Sequence, residues 1–226
     1  MKKSNSKSLL TSLVIAFLLT VTMSSNAQKA EFGVRYMPTF SSFDIQSSSG
    51  GVIKGEMTLG HGFGALLGFN FSEHAGIQVE VIYSPMSQEY KENDADRKIT
   101  LNYVNIPLLL SLNTGKTKPV NLNFVVGPQI GISVGSEINS TSNNGTSSTE
   151  AVLAVKKGDL GFAYGAGLDF GLNTERTFRL GIGFRGVKGL IDISDNSETS
   201  SNESYYVLDK TQISTYAGYI GFSILF

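Results

Sequence analysis

Apolar and polar residues alternate along much of this chain with a period of two. In the stretch VNLNFVVGPQIGISV, residues 120–134, every second residue from Val120 onward is apolar, and the intervening positions are small or polar except for Val125. This period is typical of a β-strand with one apolar face. The pattern predicts a strand and leaves open whether its apolar face points into the protein or away from it.

The same alternation recurs along the chain and predicts eight strands. They cover residues 31–43, 59–71, 76–89, 99–112, 120–135, 159–170, 177–190 and 212–226. Longer connections (44–58, 136–158, 191–211, and a charged one of middling length at 90–98) alternate with short ones (72–75, 113–119, 171–176). This asymmetry is typical of outer-membrane barrels, which have short periplasmic turns and long extracellular loops. We therefore predict an all-β fold, a closed eight-stranded antiparallel up-and-down transmembrane β-barrel. A soluble up-and-down barrel with uneven loops is the alternative.

The size of the side chains indicates which face points outward. An eight-stranded barrel encloses room for modest side chains only, and the Phe, Leu and Ile residues of every strand would overfill it. The opposite set is too rich in Gly and Ala for an ordinary solvated surface. We therefore expect the apolar face to contact lipid, inside which the backbone must pair with itself and the sheet must close.

This orientation places charged residues inside the barrel. They are Arg35, Glu80, Asp169, Arg179 and Arg185. Buried charges persist only when they are paired and hydrogen-bonded, so we predict a structural Glu/Asp–Arg network in which Glu80 contacts at least one arginine. The alternative is that these charges line a gated polar path through the barrel. Because an eight-stranded bore is narrow, we favour the interpretation that they fill it as a structural plug.

Four prolines fall inside the predicted strands: Pro38, Pro85, Pro107 and Pro128. Proline lacks the N–H that a ladder needs and is normally confined to strand edges or bulges. Because a closed barrel has no edges, we expect bulges or strand ends at these positions.

The first residues indicate the compartment. Three lysines precede an apolar run at residues 9–21, and small residues follow, of which Ser25 and Ala27 have the spacing of a cleavage site. This order is typical of a secretory signal peptide, and a spanning helix would need roughly 20 apolar residues. We expect residues 1–27 to be cleaved and residues 28–226 to form the barrel domain, reaching the outer membrane after Sec-type export.

Composition excludes several functions. The net charge is -1, which gives no case for nucleic-acid binding. There is no cysteine, so burial and backbone pairing alone must stabilise the fold. The two histidines are isolated: His74 falls in a short turn, and His61 falls on the lipid-facing side of its strand. We therefore expect no enzyme activity, no cofactor and no metal, and we interpret the acidic stretch at 92–97 as a solvated loop tip.

The chain ends on an alternating strand with a terminal phenylalanine. Its lipid-facing positions include Tyr216, Ile220, Phe222, Ile224 and Phe226, and together they resemble the C-terminal signal that the outer-membrane assembly machinery recognises. Because tryptophan is absent, tyrosine and phenylalanine must supply the interfacial girdles. The candidates are Tyr36, Phe71, Tyr83, Phe170, Tyr216 and Phe226.

The order of several segments resembles the PorT-like outer-membrane β-barrel family. These segments are AEFGVRYMPTFS, LNYVNIPLLL, FVVGPQIG, DLGFAYGAGLDF and GYIGFSILF. The resemblance implies an eight-stranded outer-membrane barrel and little about activity, although one branch of the family takes part in protein secretion.

We therefore predict a non-catalytic integral outer-membrane protein of the Gram-negative envelope with a filled lumen. It acts through surface loops, chiefly 136–158 and 191–211, or as a structural protein, with outer-membrane lipids as its surroundings. A subunit of a secretion or transport assembly, in contact with secretion-system proteins, is one alternative. A narrow diffusion pore and a soluble lipid-binding barrel are the others.

Overall fold

Ten β-strands account for most of the part of the chain that the structure describes. The computed structural model describes residues 29–46, 52–54, 56–92, 95–142, 147–148, 157–191 and 213–226. The strands are β1 (Lys29–Gln46), β2 (Val52–Lys54), β3 (Glu56–Asn70), β4 (Ala75–Glu92), β5 (Ala95–Asn113), β6 (Val120–Ser142), β7 (Ser147–Ser148), β8 (Gly158–Gly171), β9 (Phe178–Gly189) and β10 (Ile213–Leu225). The predicted signal peptide and most of the loop at 191–211 lie outside the described residues. No helix in the described ranges is long and apolar enough to cross a membrane.

Eight of these strands close into one antiparallel barrel. Their order is β10-β9-β8-β6-β5-β4-β3-β1, and β1 pairs back with β10 along Glu31–Phe43. Each barrel strand therefore lies beside its neighbours in sequence. The short strands β2 and β7 pair antiparallel with the last residues of β1 and β6. The closed eight-stranded barrel predicted from the alternation is confirmed.

The two ends of the barrel differ. Short turns at 71–74, 114–119 and 172–177 lie at the end where β1 begins and β10 ends, which we call the short-turn end. The opposite end is the long-loop end. The interpretation of residues 90–98 as a long connection is wrong, because β4 continues to Glu92 and β5 starts at Ala95 with Lys91 paired to Asp96. Backbone pairing needs no apolar face, so the ladder continues through a charged sequence.

The bulky apolar side chains point away from the barrel interior. Phe124 and Ile130 are 50% and 54% exposed, whereas Arg179 is 1% exposed and Gly181 is buried. The same outward orientation is shared by Phe32, Val34, Phe63, Leu67, Val81, Leu108, Leu110, Phe162, Ile182, Phe184, Ile220 and Phe222. Among the described residues, the inward face carries glycines, polar groups and two small apolar clusters, one of them formed by Leu109, Val125 and Ala163.

The strand prolines interrupt one ladder each. They are Pro38, Pro85, Pro107 and Pro128, and each pairs with one neighbouring strand and lacks a pair on the other side. The expected irregularity is present at Pro85, where the β3–β4 register shifts between Met57 and Phe63. For the other three the expectation of bulges or strand ends is wrong. There the ladder skips residues and resumes in the same register, because a missing N–H removes a bond without adding a residue.

The outward orientation predicts the effect of a charge on the lipid side. Leu108 is half-exposed and lies on the outer face of β5, five residues before the last residue of the strand at the short-turn end. This is about half of the roughly 10 residues that a strand needs to cross a bilayer. We expect Leu108→Arg to destabilise the barrel by about 2–4 kcal/mol, the cost of a cation near the bilayer midplane. The measurement is denaturant unfolding from phosphocholine vesicles. Leu108→Ala, which removes apolar area without adding charge, is the matched control, and equal losses for the two variants would contradict the orientation.

Candidate functional site in the barrel bore

Three charged side chains meet in the middle of the bore. Glu80 of β4 accepts hydrogen bonds from Arg35 of β1 at 2.6 Å and from both terminal nitrogens of Arg185 of β9 at 3.0 and 3.2 Å. The strand order places β4 and β9 diametrically opposite each other in the barrel. The Glu80–Arg185 contact therefore crosses the full width of the bore. We call Arg35, Glu80 and Arg185 the central triad.

Two further residues support the central triad. The Gln78 side-chain amide donates a hydrogen bond to Glu80, and the Arg35 guanidinium lies 4.4 Å above the ring centre of Tyr219. A cation over an aromatic face is attracted by the negative potential of the ring. The ring of Tyr219 lies close against Gly167 and Gly183, at both of which a Cβ atom would clash with it. These two glycines are therefore required for the ring to occupy the bore.

A second cluster closes the short-turn end. Lys116, in the turn at 114–119, points into the bore, where its Nζ atom lies 2.7 Å from Glu31 and 3.7 Å from Asp169. Its side chain is 5% exposed. The Asn121 amide oxygen accepts a hydrogen bond from the Gly115 N–H at 3.0 Å, and its amide nitrogen donates to Asp169 at 2.9 Å. The turn is thus fastened to the inner wall that it covers.

Hydrogen bonds tie the three short turns to each other. Lys116 N–H donates to the Glu73 carbonyl at 3.0 Å, and the Thr117 hydroxyl donates to the Glu73 carboxylate at 2.8 Å. Arg176 donates to the Thr117 carbonyl at 2.9 Å. These bonds hold the turns over the short-turn end of the bore.

The structure places all five residues of the sequence-predicted network inside the bore, in two groups. The central triad contains Arg35, Glu80 and Arg185. Arg179 donates to the backbone carbonyls of Asp169 and Lys118 rather than to a carboxylate. Asp169 accepts from Asn121 and faces Lys116.

Sequence reasoning missed four members of these clusters: Glu31, Gln78, Lys116 and Tyr219. Glu31 lies on the same face of β1 as Arg35, and Gln78 lies on the same face of β4 as Glu80. The alternation alone therefore indicates that both side chains point into the bore. Tyr219 also has inward parity, opposite to that of the outward-facing Tyr216 and Ile220, so the alternation indicates its direction too. Lys116 lies in a turn, where no periodicity indicates direction.

The remaining predicted residues lie on the outside or in turns. His61 is exposed, and a 2.6 Å hydrogen bond joins its Nδ1 to the Tyr36 hydroxyl. His74 is exposed in the turn at 71–74. No group of three or more His, Cys, Asp or Glu side chains in the described ranges could hold a metal ion.

The C-terminal strand presents its predicted signal outward. Tyr216, Ile220, Phe222 and Phe226 are exposed, and Ile224 is half-buried. The N–H of Phe226 donates to the Ala30 carbonyl at 2.8 Å, which joins the last residue to the start of β1. Of the girdle candidates, Phe71 and Tyr83 are exposed, and Tyr36 and Phe170 are half-buried.

Comparisons with known proteins agree with this architecture. Residues 25–195 match the family described as "Outer membrane protein beta-barrel domain". The outer membrane protein OprG from Pseudomonas aeruginosa is similar in structure, with 15% sequence identity, a TM-score of 0.53, and coverage of 89% of this chain and 98% of that chain. Ail, the attachment invasion locus protein of Yersinia pestis, matches with 14% identity, a TM-score of 0.41, and coverage of 88% and 100%. No curated protein sequence matches. The likeness to OprG supports the fold alone.

Removing the charge of Glu80 tests the central triad. We expect Glu80→Gln to cost about 3–5 kcal/mol of unfolding free energy, because two arginines would remain buried without their partner. Glu175→Gln, in an exposed turn, is the matched control and should change stability little. The measurement is urea unfolding of the refolded barrel in detergent. Equal effects of the two substitutions would contradict the importance of the triad.

Proposed function

We propose a function from one premise: the chain belongs to the outer membrane protein beta-barrel domain family. On that premise it is an integral outer-membrane protein with a filled bore. It acts without catalysis, through its long loops or as a structural component of the envelope. Its long-loop end faces the cell exterior, as is usual for barrels of this kind.

The observation that carries the proposal is the ion pair across the bore. Glu80 and Arg185 lie on opposite walls and touch, and Arg35 fills space beside them. On the short-turn side of these three residues, Lys116 and its turn cover the end of the bore. A bore obstructed at two levels offers no wide path for solutes, and this supports a role outside the bore.

The proposal also includes the export route and the family resemblance that the sequence suggested. Residues 1–27 direct Sec-type export and are removed, and the C-terminal strand is recognised by the outer-membrane assembly machinery. Outer-membrane lipids surround the apolar belt. PorT-like membership and a place in a secretion assembly remain predictions, and no contact among the described residues favours the secretion role over the loop role.

Channel recording distinguishes a filled bore from a pore. We expect the wild-type protein to show no conductance steps in planar bilayers, because the central triad spans the lumen. The triple variant Arg35→Ala, Glu80→Ala, Arg185→Ala should pass more ions than the wild type. Regular conductance steps from the wild-type protein would overturn the filled bore and favour the narrow diffusion pore.

Loop replacement tests the site of action. Replacing residues 191–211 by a short Gly-Ser turn should leave a folded barrel, seen as a heat-dependent shift in electrophoretic mobility. The replacement should also abolish capture of partners from solubilised outer membrane. A variant with the same loop residues in scrambled order is the matched control for length and composition, and it should lose the partners too. Retention of the wild-type partner set by both variants would overturn the loop role, and secretion proteins in that retained set would favour the secretion alternative.

A further inference from the structure

An apolar groove indents the outer wall of the barrel. It has a volume of about 670 Å³ and crosses β1, β10, β9, β8 and β6. A second hollow of about 440 Å³ shares Ala166 and Phe184 with it and continues over β6 to Leu112 of β5. We call these two connected hollows the outer groove.

Small residues leave the space that the outer groove occupies. Pro38, Gly218 and Ala166 stand at outward positions whose neighbours on the same faces are bulky. A Cβ atom placed on Gly218 would meet Pro38 Cγ and a backbone oxygen at 3.9 Å and nothing closer, so the space above this glycine is open. Gly167 and Gly183 also line the outer groove, which brings the strand backbone to its floor.

One row of paired residues gives the outer groove its direction. The row runs from strand to strand through Tyr36, Ile220, Ile182, Leu168 and Leu122. Tyr36 lies seven residues from the short-turn end of β1, whereas Leu122 lies two residues from that end of β6. The outer groove therefore slopes from the long-loop side on β1 toward the short-turn side on β6. Its four strand spacings of about 4.8 Å add up to roughly 19 Å, close to the roughly 15 Å of hydrocarbon that one leaflet contributes.

A pair of polar side chains lies at the β1 end of the outer groove. Tyr36 lines the groove, and its hydroxyl lies 2.6 Å from Nδ1 of His61, which is paired with Pro38. When this hydroxyl donates to Nδ1, the neutral imidazole carries its proton on Nε2 and presents a donor on the outer wall. His61 is nine residues from Asn70 at the short-turn end of β3, and a strand crosses a bilayer in about 9–11 residues. This donor therefore lies at the level of the lipid headgroups on the long-loop side.

We propose that the outer groove binds one molecule of a phosphorylated membrane lipid. One acyl chain lies along the groove, and a phosphate oxygen accepts a hydrogen bond from His61. A donor beside hydrocarbon is costly without a partner, and a charged phosphate oxygen makes a stronger bond than a neutral acceptor. The inference rests on the membrane location of the barrel and not on the function proposed for the loops.

The shape of the outer groove favours a lipid over a second copy of the chain. Two barrels present convex walls to each other and touch along a line, so a depression in either wall stays unfilled. Unfilled space forfeits the dispersion contacts of the residues that line it. A flexible acyl chain follows a sloping groove and fills it.

Native mass spectrometry tests the acyl-chain site in the refolded full-length barrel. Released from detergent micelles that contain phosphatidylglycerol, the wild type should carry one saturably bound lipid. Gly218→Phe places a ring in the open space of the outer groove and should weaken lipid binding by about tenfold, the factor that about 60 Å² of lost apolar contact represents. Gly158→Phe, which adds the same ring at an exposed glycine outside the groove, is the matched control and should bind like the wild type.

The choice of lipid tests the contact with His61. We expect the wild type to bind phosphatidylglycerol about tenfold more tightly than a diacylglycerol with the same chains, because a hydrogen bond to a charged group contributes about that factor. His61→Leu should bind both lipids and lose the preference. His74→Leu, in the exposed turn at 71–74, should keep it. Equal binding of the two lipids by the wild type would overturn the phosphate contact.

Two further results would overturn the lipid site itself. One is a Gly218→Phe variant that folds, as judged by its heat-dependent electrophoretic mobility, and carries lipid like the wild type. The other is a wild-type spectrum of lipid-free dimers that Gly218→Phe converts to monomers, which would assign the outer groove to a second copy of the chain.

Discussion

Hydrocarbon offers no hydrogen-bond partner to a peptide group, and this constraint determines the architecture of the barrel. Every strand must pair on both sides, so β1 has to meet β10 and the sheet has no free edge. The prolines show how the chain meets this demand: each keeps one paired neighbour and interrupts the other ladder without changing its register, except at Pro85. A barrel closed by only eight strands has a narrow bore.

The narrow bore controls which side chains it can hold. Tyr219 fits because two facing glycines make room for its ring. A buried ion pair adds little net stability over an apolar pair of the same volume, so stability alone does not explain the central triad. The triad specifies register: a one-residue slip of β4 or β9 would turn Glu80 or Arg185 toward lipid. We therefore interpret these charges as fixing which residues face inward.

The strands and their faces could be predicted from the sequence because they follow from the alternation of apolar and polar residues. Contacts across the barrel could not. Alternation is a local property, so it gave the strands, their outward faces and the inward parity of all five predicted charged residues. It could not show that Glu80 reaches the opposite wall, because that contact joins residues 105 apart in the chain. It could not place Lys116, whose direction is set by a turn. Alternation also ends β4 too early, because the charged residues at 90–98 resemble a loop in composition although they continue the ladder.

The two ends of the bore have opposite chemistry. At the short-turn end, Lys116 neutralises Glu31, and hydrogen bonds among the turns hold the cover in place. At the long-loop end, Ser41 Oγ, Thr58 Oγ1 and one oxygen of Asp159 lack partners among the described residues. A continuous polar channel would present similar groups along its whole length. In this bore the carboxylates of the short-turn half are paired with cations, whereas the long-loop half contains oxygen atoms without partners. The interior is therefore better described as two halves of different chemistry on either side of the central triad. On that description the half of the bore with unpartnered oxygen atoms and the proposed loop function lie at the same end of the molecule.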